Sequence, residues 1–477
     1  MLKPGFSFSD SEVWRIYMTL ALVLFALLVA AVIRNQSKAI RKTLIPIPVI
    51  SGFLLLIAGY VWKLITGNEL LNRETLEVLT YHCLGLGFCA TALQTNEKAK
   101  NKRAKRDIFN ASLVTAATYV LQAVIGLTVS IGLSFLINCW QGSGVILPMG
   151  YGQAPGQAYN WGNIYEQSYG FENGGTFGLT VGAVGFIACS IGGVIYLNRL
   201  RKAGSPKVKA EAGAIEENTD IEYITDPKEI PLSDSIDKLT VQFALVFVAY
   251  AITYGGIALV SYFCVNSGVK ILAETVNNLL WGFNFIWATL GAMLVRNIFV
   301  KGEQKGILKQ KYINNQMLDR VSGITFDIMV TAALAAINLS AFKQKEFLIP
   351  LLLMCVFGLI FSYIYVDRAC RKLFPKYNDE AFLSLFGMLT GAASTGVILL
   401  REVDPHFETP ALKNLIYQAL WTVLLGSPLL LLMGQIPLSQ TWRFICYGIF
   451  IAMLIVFTIW INLAGKKVAK QDADEGE

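Results

Sequence analysis

Long apolar runs dominate this chain of 477 residues. Only 15% of the residues are charged, against roughly a quarter in an average soluble domain. A run of about twenty apolar residues is long enough to cross the hydrocarbon core of a bilayer as a helix. The sequence therefore predicts an all-α polytopic membrane protein with about eleven transmembrane helices, at about 13–33, 44–65, 75–95, 109–138, 176–198, 239–263, 276–299, 321–341, 347–366, 409–433 and 441–463.

Lysine and arginine concentrate in every second connection between these spans. One alternate set of connections holds 27 of these residues and the other set holds 5. Basic residues accumulate on the cytoplasmic side of a membrane. This bias predicts an N-terminus outside the cell and a C-terminus in the cytoplasm.

Two Gly-rich segments interrupt the pattern of spans. The first, at about 142–170, follows the fourth span, and the second, at about 380–401, follows the ninth. Broken backbone is tolerated at membrane depth only where protein or a watery cavity covers it. The sequence therefore predicts that both segments are re-entrant hairpins.

The spans and hairpins fall into two sets with the same internal order. Residues 1–200 form a predicted first repeat of five spans and one hairpin, and 239–435 form a second. The predicted repeats are inverted, because the first begins outside and the second begins in the cytoplasm. An acidic cytoplasmic linker is predicted at 201–238, and 436–477 adds one helix and a tail. Such inverted repeats point to a secondary transporter that binds substrate between them.

Four stretches resemble the bacterial glutamate:sodium symporter (ESS) family in order and spacing. The resemblance extends over about 40–435. The stretches are "TLIPIPVISGFLLL" (Thr43–Leu56), "YGFENGGTFGLTVGAVGFIACSIGGVIYLNRL" (Tyr169–Leu200), "LTGAASTGVILLREVDP" (Leu389–Pro405) and "FETPALKNLIYQALWTVLLGSPLLLLM" (Phe407–Met433).

The resemblance implies a function and a setting. It implies symport of L-glutamate into the cell with Na⁺ as the coupling ion, by an elevator-type alternating-access mechanism. It further implies a homodimer in the bacterial inner membrane, with no other cofactor and no nucleic-acid partner. The sequence contains no Walker motif and no Ser-His-Asp set, so we expect a transporter and not an enzyme.

Both predicted hairpins depart from the pattern of the family. "MGYGQAPG" (Met149–Gly156) stands where the family has Gly-Gly-His-Gly-Thr, and "GAASTG" (Gly391–Gly396) stands where it has Gly-Ala-Thr-Pro-Thr-Ala. These changes leave open another organic anion, a dicarboxylate or a related amino acid. A passive channel and a membrane sensor are the alternatives from other classes.

The hairpins supply the predicted substrate site. A half-helix that ends inside the membrane directs free N–H groups and its dipole at an anion, and Gly lets the backbone approach a ligand. The alternative is that these small residues only permit close helix packing. The predicted substrate-binding residues are Gly150, Gly152, Gln153 and Gly156 in the first hairpin, and Thr390, Gly391, Ser394, Thr395 and Gly396 in the second.

Three polar residues are candidates for the coupling ion or the cavity. Asp327 lies in the eighth span, where a carboxylate costs at least ~2.5 kcal/mol at mid-membrane, unless it lies at the interface. Arg401 either pairs with a substrate carboxylate or marks the cytoplasmic mouth. Asn284 lines a cavity or forms an interhelical hydrogen bond. The sequence assigns Na⁺ ligands only to the hairpin backbone and Asp327.

Overall fold

The computed structural model describes residues 11–95, 102–205, 237–269, 273, 277–282 and 284–474. Within them the chain is helical, with two short 3-10 helices (Ser143–Ile146 and Leu339–Lys343) and no β-strand. The α-helices are α1 (Ser11–Gln36), α2 (Lys38–Lys42), α3 (Ile47–Thr66), α4 (Arg73–Leu93), α5 (Lys102–Ser134), α6 (Leu147–Tyr169), α7 (Gly174–Lys202), α8 (Lys238–Asn266), α9 (Asn277–Gly282), α10 (Asn284–Gln304), α11 (Asn315–Ala335), α12 (Lys345–Leu373), α13 (Asn378–Thr390), α14 (Ala393–Arg401), α15 (Ala411–Tyr417), α16 (Ala419–Met433) and α17 (Gln440–Asp474).

The number of membrane-length helices is slightly below the prediction. In the described part of the chain, nine helices are long and apolar enough to cross a membrane, and the bent pair α15–α16 makes a tenth. The difference from eleven lies at α11, which forms as a helix but carries Asp319, Arg320 and Asp327. The chain is thus a multi-pass membrane protein, and its described residues contain up to ten candidate spans by length and composition.

The helices group into two units. The first contains α4 and α8–α11, with the beginning of α1 and the end of α3. Its core forms where α4 packs against α8, α10 and α11, around small side chains such as Cys89, Ala90, Ala288 and Ala292.

The second unit contains α2, α5–α7 and α12–α17, with the remaining parts of α1 and α3. Helix α5 is its central element, because α5 packs against α6, α12, α16 and α17. Its middle, from Ala111 to Val120, is buried on every face. A helix buried all round belongs to the interior of a bundle.

The two units do not coincide with the two predicted repeats. The second unit takes both Gly-rich segments, together with the fourth, fifth, ninth and tenth predicted spans. The predicted linker at 201–238 lies almost wholly outside the described residues. The boundaries of the repeats stay a prediction.

The additional C-terminal helix, α17, packs against the second unit. The hydroxyls of Thr128 on α5 and Tyr447 on α17 lie 2.8 Å apart. Further along α17, the hydroxyls of Tyr365 on α12 and Thr458 lie 3.1 Å apart. Polar contacts therefore connect α17 to two helices of this unit.

Candidate functional site

Helix α6 is broken at Ala154, whose φ of 73° and ψ of 166° are not helical. The cause is Pro155, which lacks an N–H group and disfavours the α conformation of the residue before it. The helix therefore consists of two arms, 147–153 and 155–169. Positive φ is strained for an L-residue other than Gly, and such strain often occurs at functional sites.

The arm before this break follows α5. A Cβ added to Gly144 would lie 1.9 Å from the carbonyl carbon of Gly126, so the two backbones touch. Eight residues later, the carbonyl of Gly152 accepts a 2.9 Å hydrogen bond from the hydroxyl of Tyr119. The chain from Gly144 through this arm to Gly152 therefore advances along α5 from position 126 towards position 119.

The arm after the break follows α7. A Cβ added to Gly182 would lie 2.6 Å from the Cα of Pro155, and one added to Gly178 would lie 2.0 Å from the carbonyl oxygen of Ala158. Only Gly permits such close contact, because it has no Cβ. This arm therefore moves along α7 from position 182 towards position 178.

Helices α13 and α14 form a helical hairpin around the second break. A Cβ on Gly387 would lie 2.7 Å from the Cα of Gly396. In a continuous helix, nine residues would separate these positions by about 13 Å. The chain therefore reverses direction between them, at Gly391 and Ala392, whose dihedral angles are not helical.

The base of this second hairpin contacts α5 and α7. The Tyr377 hydroxyl donates a 2.8 Å hydrogen bond to Oδ2 of Asp107 on α5. The Tyr196 hydroxyl on α7 donates one of 2.8 Å to Oδ1 of Asp379. Burial, and then the Asp107 carboxylate, raise the pKa of the Tyr377 phenol, so it remains a hydrogen-bond donor.

The tip of the second hairpin lies further along the same two helices. Nε2 of Gln122 on α5 donates a 2.9 Å hydrogen bond to the carbonyl of Leu389, and a Cβ on Gly185 of α7 would lie 2.7 Å from the carbonyl oxygen of Thr390. From base to tip, residue numbers rise along α5 and fall along α7. The helices α5 and α7 are therefore antiparallel.

The antiparallel arrangement of α5 and α7 determines the path of the first Gly-rich segment. Its first arm runs antiparallel to α5 and its second arm runs antiparallel to α7, so the two arms run in opposite directions. The first segment is therefore also a helical hairpin, and it approaches the middle of α5 from the opposite end to the second.

The tips of the two hairpins meet at Gly185. A Cβ on Gly185 would lie 2.7 Å from the carbonyl oxygen of Thr390 and 3.3 Å from that of Gly150. Tyr119 and Gln122 bond carbonyls of the two tips from positions three residues apart on α5. One small region of the second unit thus contains both helix breaks.

The predicted glycines of the first hairpin lie in this region, and they pack closely. A Cβ on Gly150 would lie 2.6 Å from Cγ1 of Val181, and one on Gly152 would lie 2.1 Å from Cε1 of Tyr119. Gly156 is buried and Gln153 is partly exposed. Close packing accounts for the first two glycines, and a ligand role stays a prediction.

The predicted residues of the second hairpin surround its turn. Oγ1 of Thr395 accepts a 2.9 Å hydrogen bond from the N–H of Ala392 and lies 2.7 Å from the carbonyl oxygen of Gly387. The hydroxyl of Thr390 donates to the carbonyl of Phe386. Gly391 and Gly396 are buried, and Ser394 is exposed. Thr395 thus joins the two arms across the turn.

The candidates for the coupling ion are divided between the units. Asp327 and Asn284 belong to the first unit, and Arg401 belongs to the second. Nδ2 of Asn284 donates a 3.0 Å hydrogen bond to the carbonyl of Tyr81, which confirms the interhelical hydrogen bond. The Arg401 guanidinium lies 5.3 Å from the ring centroid of Phe407. Their coupling roles stay predictions.

Three features of the site were not in the predicted set. Tyr119 and the glycines of α7 were not singled out, although the spacing of Gly178, Gly182 and Gly185 indicates a face for close contact. Gln157, directly after the break, was also missed. The signal for it was Pro155, which marks the start of a new half-helix.

The membrane-length helices and the two hairpins define a multi-pass membrane protein. Its similarity to known proteins identifies it as a transporter and not an enzyme. The profile of the sodium/glutamate symporter family matches residues 13–409, and the chain belongs to that family. It is 23% identical over 409 residues to the sodium/glutamate symporter of Haemophilus influenzae, covering 82% of this chain and 89% of that protein.

Proposed function

We propose that this protein moves glutamate into the cell together with Na⁺. Membership of the sodium/glutamate symporter family supports this proposal. The observation that carries it is the meeting of two hairpin tips at Gly185, where two helix breaks expose backbone groups to a common region. Broken helices at the centre of a membrane protein are the usual binding elements of secondary transporters.

The two breaks offer opposite charges to a ligand. The half-helix 155–169 begins at the first break, and its N-terminus carries a partial positive charge that attracts a carboxylate. Helix α13 ends at Thr390, and the carbonyls of a helix C-terminus attract a cation. Substrate and Na⁺ would therefore bind next to each other, and each would favour the other by a typical 1–3 kcal/mol.

The proposed transport cycle is of the elevator type, in which the second unit is mobile and the first unit is the scaffold. Both hairpins belong to the second unit, so a site between them would move as one body. The hairpins would be re-entrant, within two inverted repeats. We further propose a homodimer in the bacterial inner membrane, with the N-terminus outside and the C-terminus in the cytoplasm, as the distribution of Lys and Arg indicates.

Uptake into proteoliposomes tests this function. The purified protein should accumulate radiolabelled L-glutamate against its gradient when Na⁺ is outside, and K⁺ in place of Na⁺ should abolish accumulation. Unlabelled organic anions, added as competitors, define the substrate. Accumulation of a dicarboxylate in place of glutamate would reject the assigned substrate, and equilibration without accumulation would indicate a channel.

A further inference from the structure

Gln157 is fully buried in the first turn of the half-helix 155–169. Among the residues that the structure describes, neither Nε2 nor Oε1 of its amide has a hydrogen-bond partner. Buried side-chain amides are almost always hydrogen-bonded, because an unpaired polar group costs free energy. An unpaired amide at a break between two helices therefore indicates a group that binds there.

A comparison with the second hairpin strengthens this argument. Gln157 lies three positions after Ala154, and Thr395 lies three positions after Ala392, so both occupy the same place after a break. The Thr395 hydroxyl bonds back to the N–H of Ala392 at 2.9 Å. Gln is a preferred residue for such a capping box, yet the Gln157 amide makes no such bond. The second break is capped by its own side chain, and the first is not.

The uncapped first break can bind a carboxylate. Pro155 has no N–H group, and a helix that begins at Pro155 has no acceptor within the half-helix 155–169 for the N–H groups of Gly156 and Gln157. Ala154, at the capping position, has no side-chain oxygen to accept from them. These donors and the helix dipole together favour an anion.

The Gln157 amide adds an acceptor to these donors. Its Nε2 group donates hydrogen bonds and its Oε1 atom accepts one. An α-amino acid carries a carboxylate and an ammonium group on the same carbon, so one amide can bond both groups. A simple diacid has no ammonium group and would leave Oε1 without a donor.

We propose that Gln157 recognises the α-amino-acid head of the substrate, with Nε2 donating to the carboxylate and Oε1 accepting from the ammonium group. The inference rests on the proposed function and deepens it, because it assigns selectivity for an amino acid over a diacid to one side chain. Glutarate, which is glutamate without the amino group, is the matched competitor. Sites built to bond a substrate N–H discriminate strongly against analogues that lack it.

Competition for Na⁺-driven uptake of L-glutamate tests the inference. In the wild type, glutarate should inhibit at least about tenfold more weakly than unlabelled glutamate. Gln157→Met has similar volume but no amide, so it should raise the KM for glutamate and bring the ratio of the two inhibition constants close to one. Gln157→Asn retains the amide, so it should raise the KM but preserve the preference for glutamate.

Gln418→Met is the matched control. Gln418 is also buried, but its Oε1 accepts a 2.7 Å hydrogen bond from Thr115, so its amide is already occupied. This variant should keep the wild-type ratio of inhibition constants. Loss of the preference in Gln418→Met to the same extent as in Gln157→Met would overturn the inference.

The remaining outcomes separate the inference from the proposed function. A wild-type KM and ratio in Gln157→Met would overturn the inference alone. If Gln157→Met does not fold, Gln157→Asn decides: a wild-type KM overturns the inference, and a raised KM with preserved preference supports it. Absence of Na⁺-driven glutamate uptake by the wild type would overturn the proposed function before any variant is compared.

Discussion

Tyr119 and Gln122 lie three residues apart on α5, and each donates a 2.9 Å hydrogen bond to a carbonyl at the tip of a different hairpin. The carbonyl acceptors belong to Gly152 and Leu389, which are far apart in the sequence. A single turn of α5 therefore sets the positions of both tips. These two side chains are positioning residues for the site.

Gln122→Leu should destabilise the protein by about 1–3 kcal/mol, because it leaves the Leu389 carbonyl without its buried donor. The same change removes the bond from Gln122 to the hydroxyl of Ser362. Thermal unfolding of the purified protein measures the loss. Gln167→Leu is the control, since Gln167 is exposed and its amide bonds the nearby Asn163 on the same helix, and it should change stability little. If Gln122→Leu unfolds at the same temperature as the wild type, Gln122 is not a positioning residue.

Thr395→Ala and Gly391→Val should each abolish uptake while the protein remains in the membrane. Thr395→Ala removes the bonds across the turn, and a Cβ on Gly391 would lie 2.6 Å from Oγ1 of Thr395. Proteoliposome uptake, with the amount of membrane protein determined in parallel, measures the effect. Ser427→Ala on α16 is the control and should transport normally. Full Na⁺-dependent uptake by both hairpin variants would contradict the assignment of this hairpin to the site.

Ala154→Gly should stabilise the first break, because Gly adopts a positive φ without a steric penalty. The gain should be roughly 1 kcal/mol, at the lower end of the cost of such strain. Ala154→Val should instead lower the unfolding temperature, since a β-branched residue tolerates this conformation poorly. Unfolding curves of the two variants should thus shift in opposite directions. Equal shifts would show that the strain at Ala154 has no influence on stability.

Tyr377→Phe should destabilise the base of the second hairpin by about 1–3 kcal/mol, because Asp107 and Asn414 lose the phenol that joins them. The pKa of this phenol is raised in the folded protein. The phenol therefore contributes fully to the free energy of unfolding below the ordinary tyrosine pKa of about 10. This contribution declines as the pH rises above about 10. Denaturation curves from pH 7 to 11 should show the wild type approaching the variant at high pH. If the difference in stability between the wild type and Tyr377→Phe stays constant across this pH range, ionisation of Tyr377 does not affect stability.

Two polar contacts of α17 should contribute independently to stability. Tyr447→Phe and Thr458→Val each remove one contact between α17 and the second unit. Each change should cost about 1 kcal/mol, and the double variant should show the sum, because distant sites are additive. Unfolding of the two single variants and the double variant measures this. No loss in any of them would indicate that α17 is held by apolar packing alone.

The class of the protein and the location of its special segments could be predicted from the sequence. Runs of about twenty apolar residues require membrane helices, because backbone groups in lipid must be satisfied internally. The two Gly-rich segments interrupt the pattern of apolar runs, and Pro155 explains one break by its missing N–H group. Helix α11 forms where a span was predicted, but it is not among the membrane-length helices of the described residues, because charged residues share it with apolar ones.

Only the tertiary structure decided which residues share the site. It brought the carbonyl oxygens of Gly150 and Thr390 next to the same residue, Gly185, although more than two hundred positions separate the two hairpins along the chain. Among the described residues, it also left the side-chain amide of Gln157 without a hydrogen-bond partner, while Thr395, at the matching position, bonds across its own turn. Local patterns predict helices and breaks because these depend on neighbouring residues. Whether a buried polar group is paired depends on distant residues, and these become neighbours only when the chain folds.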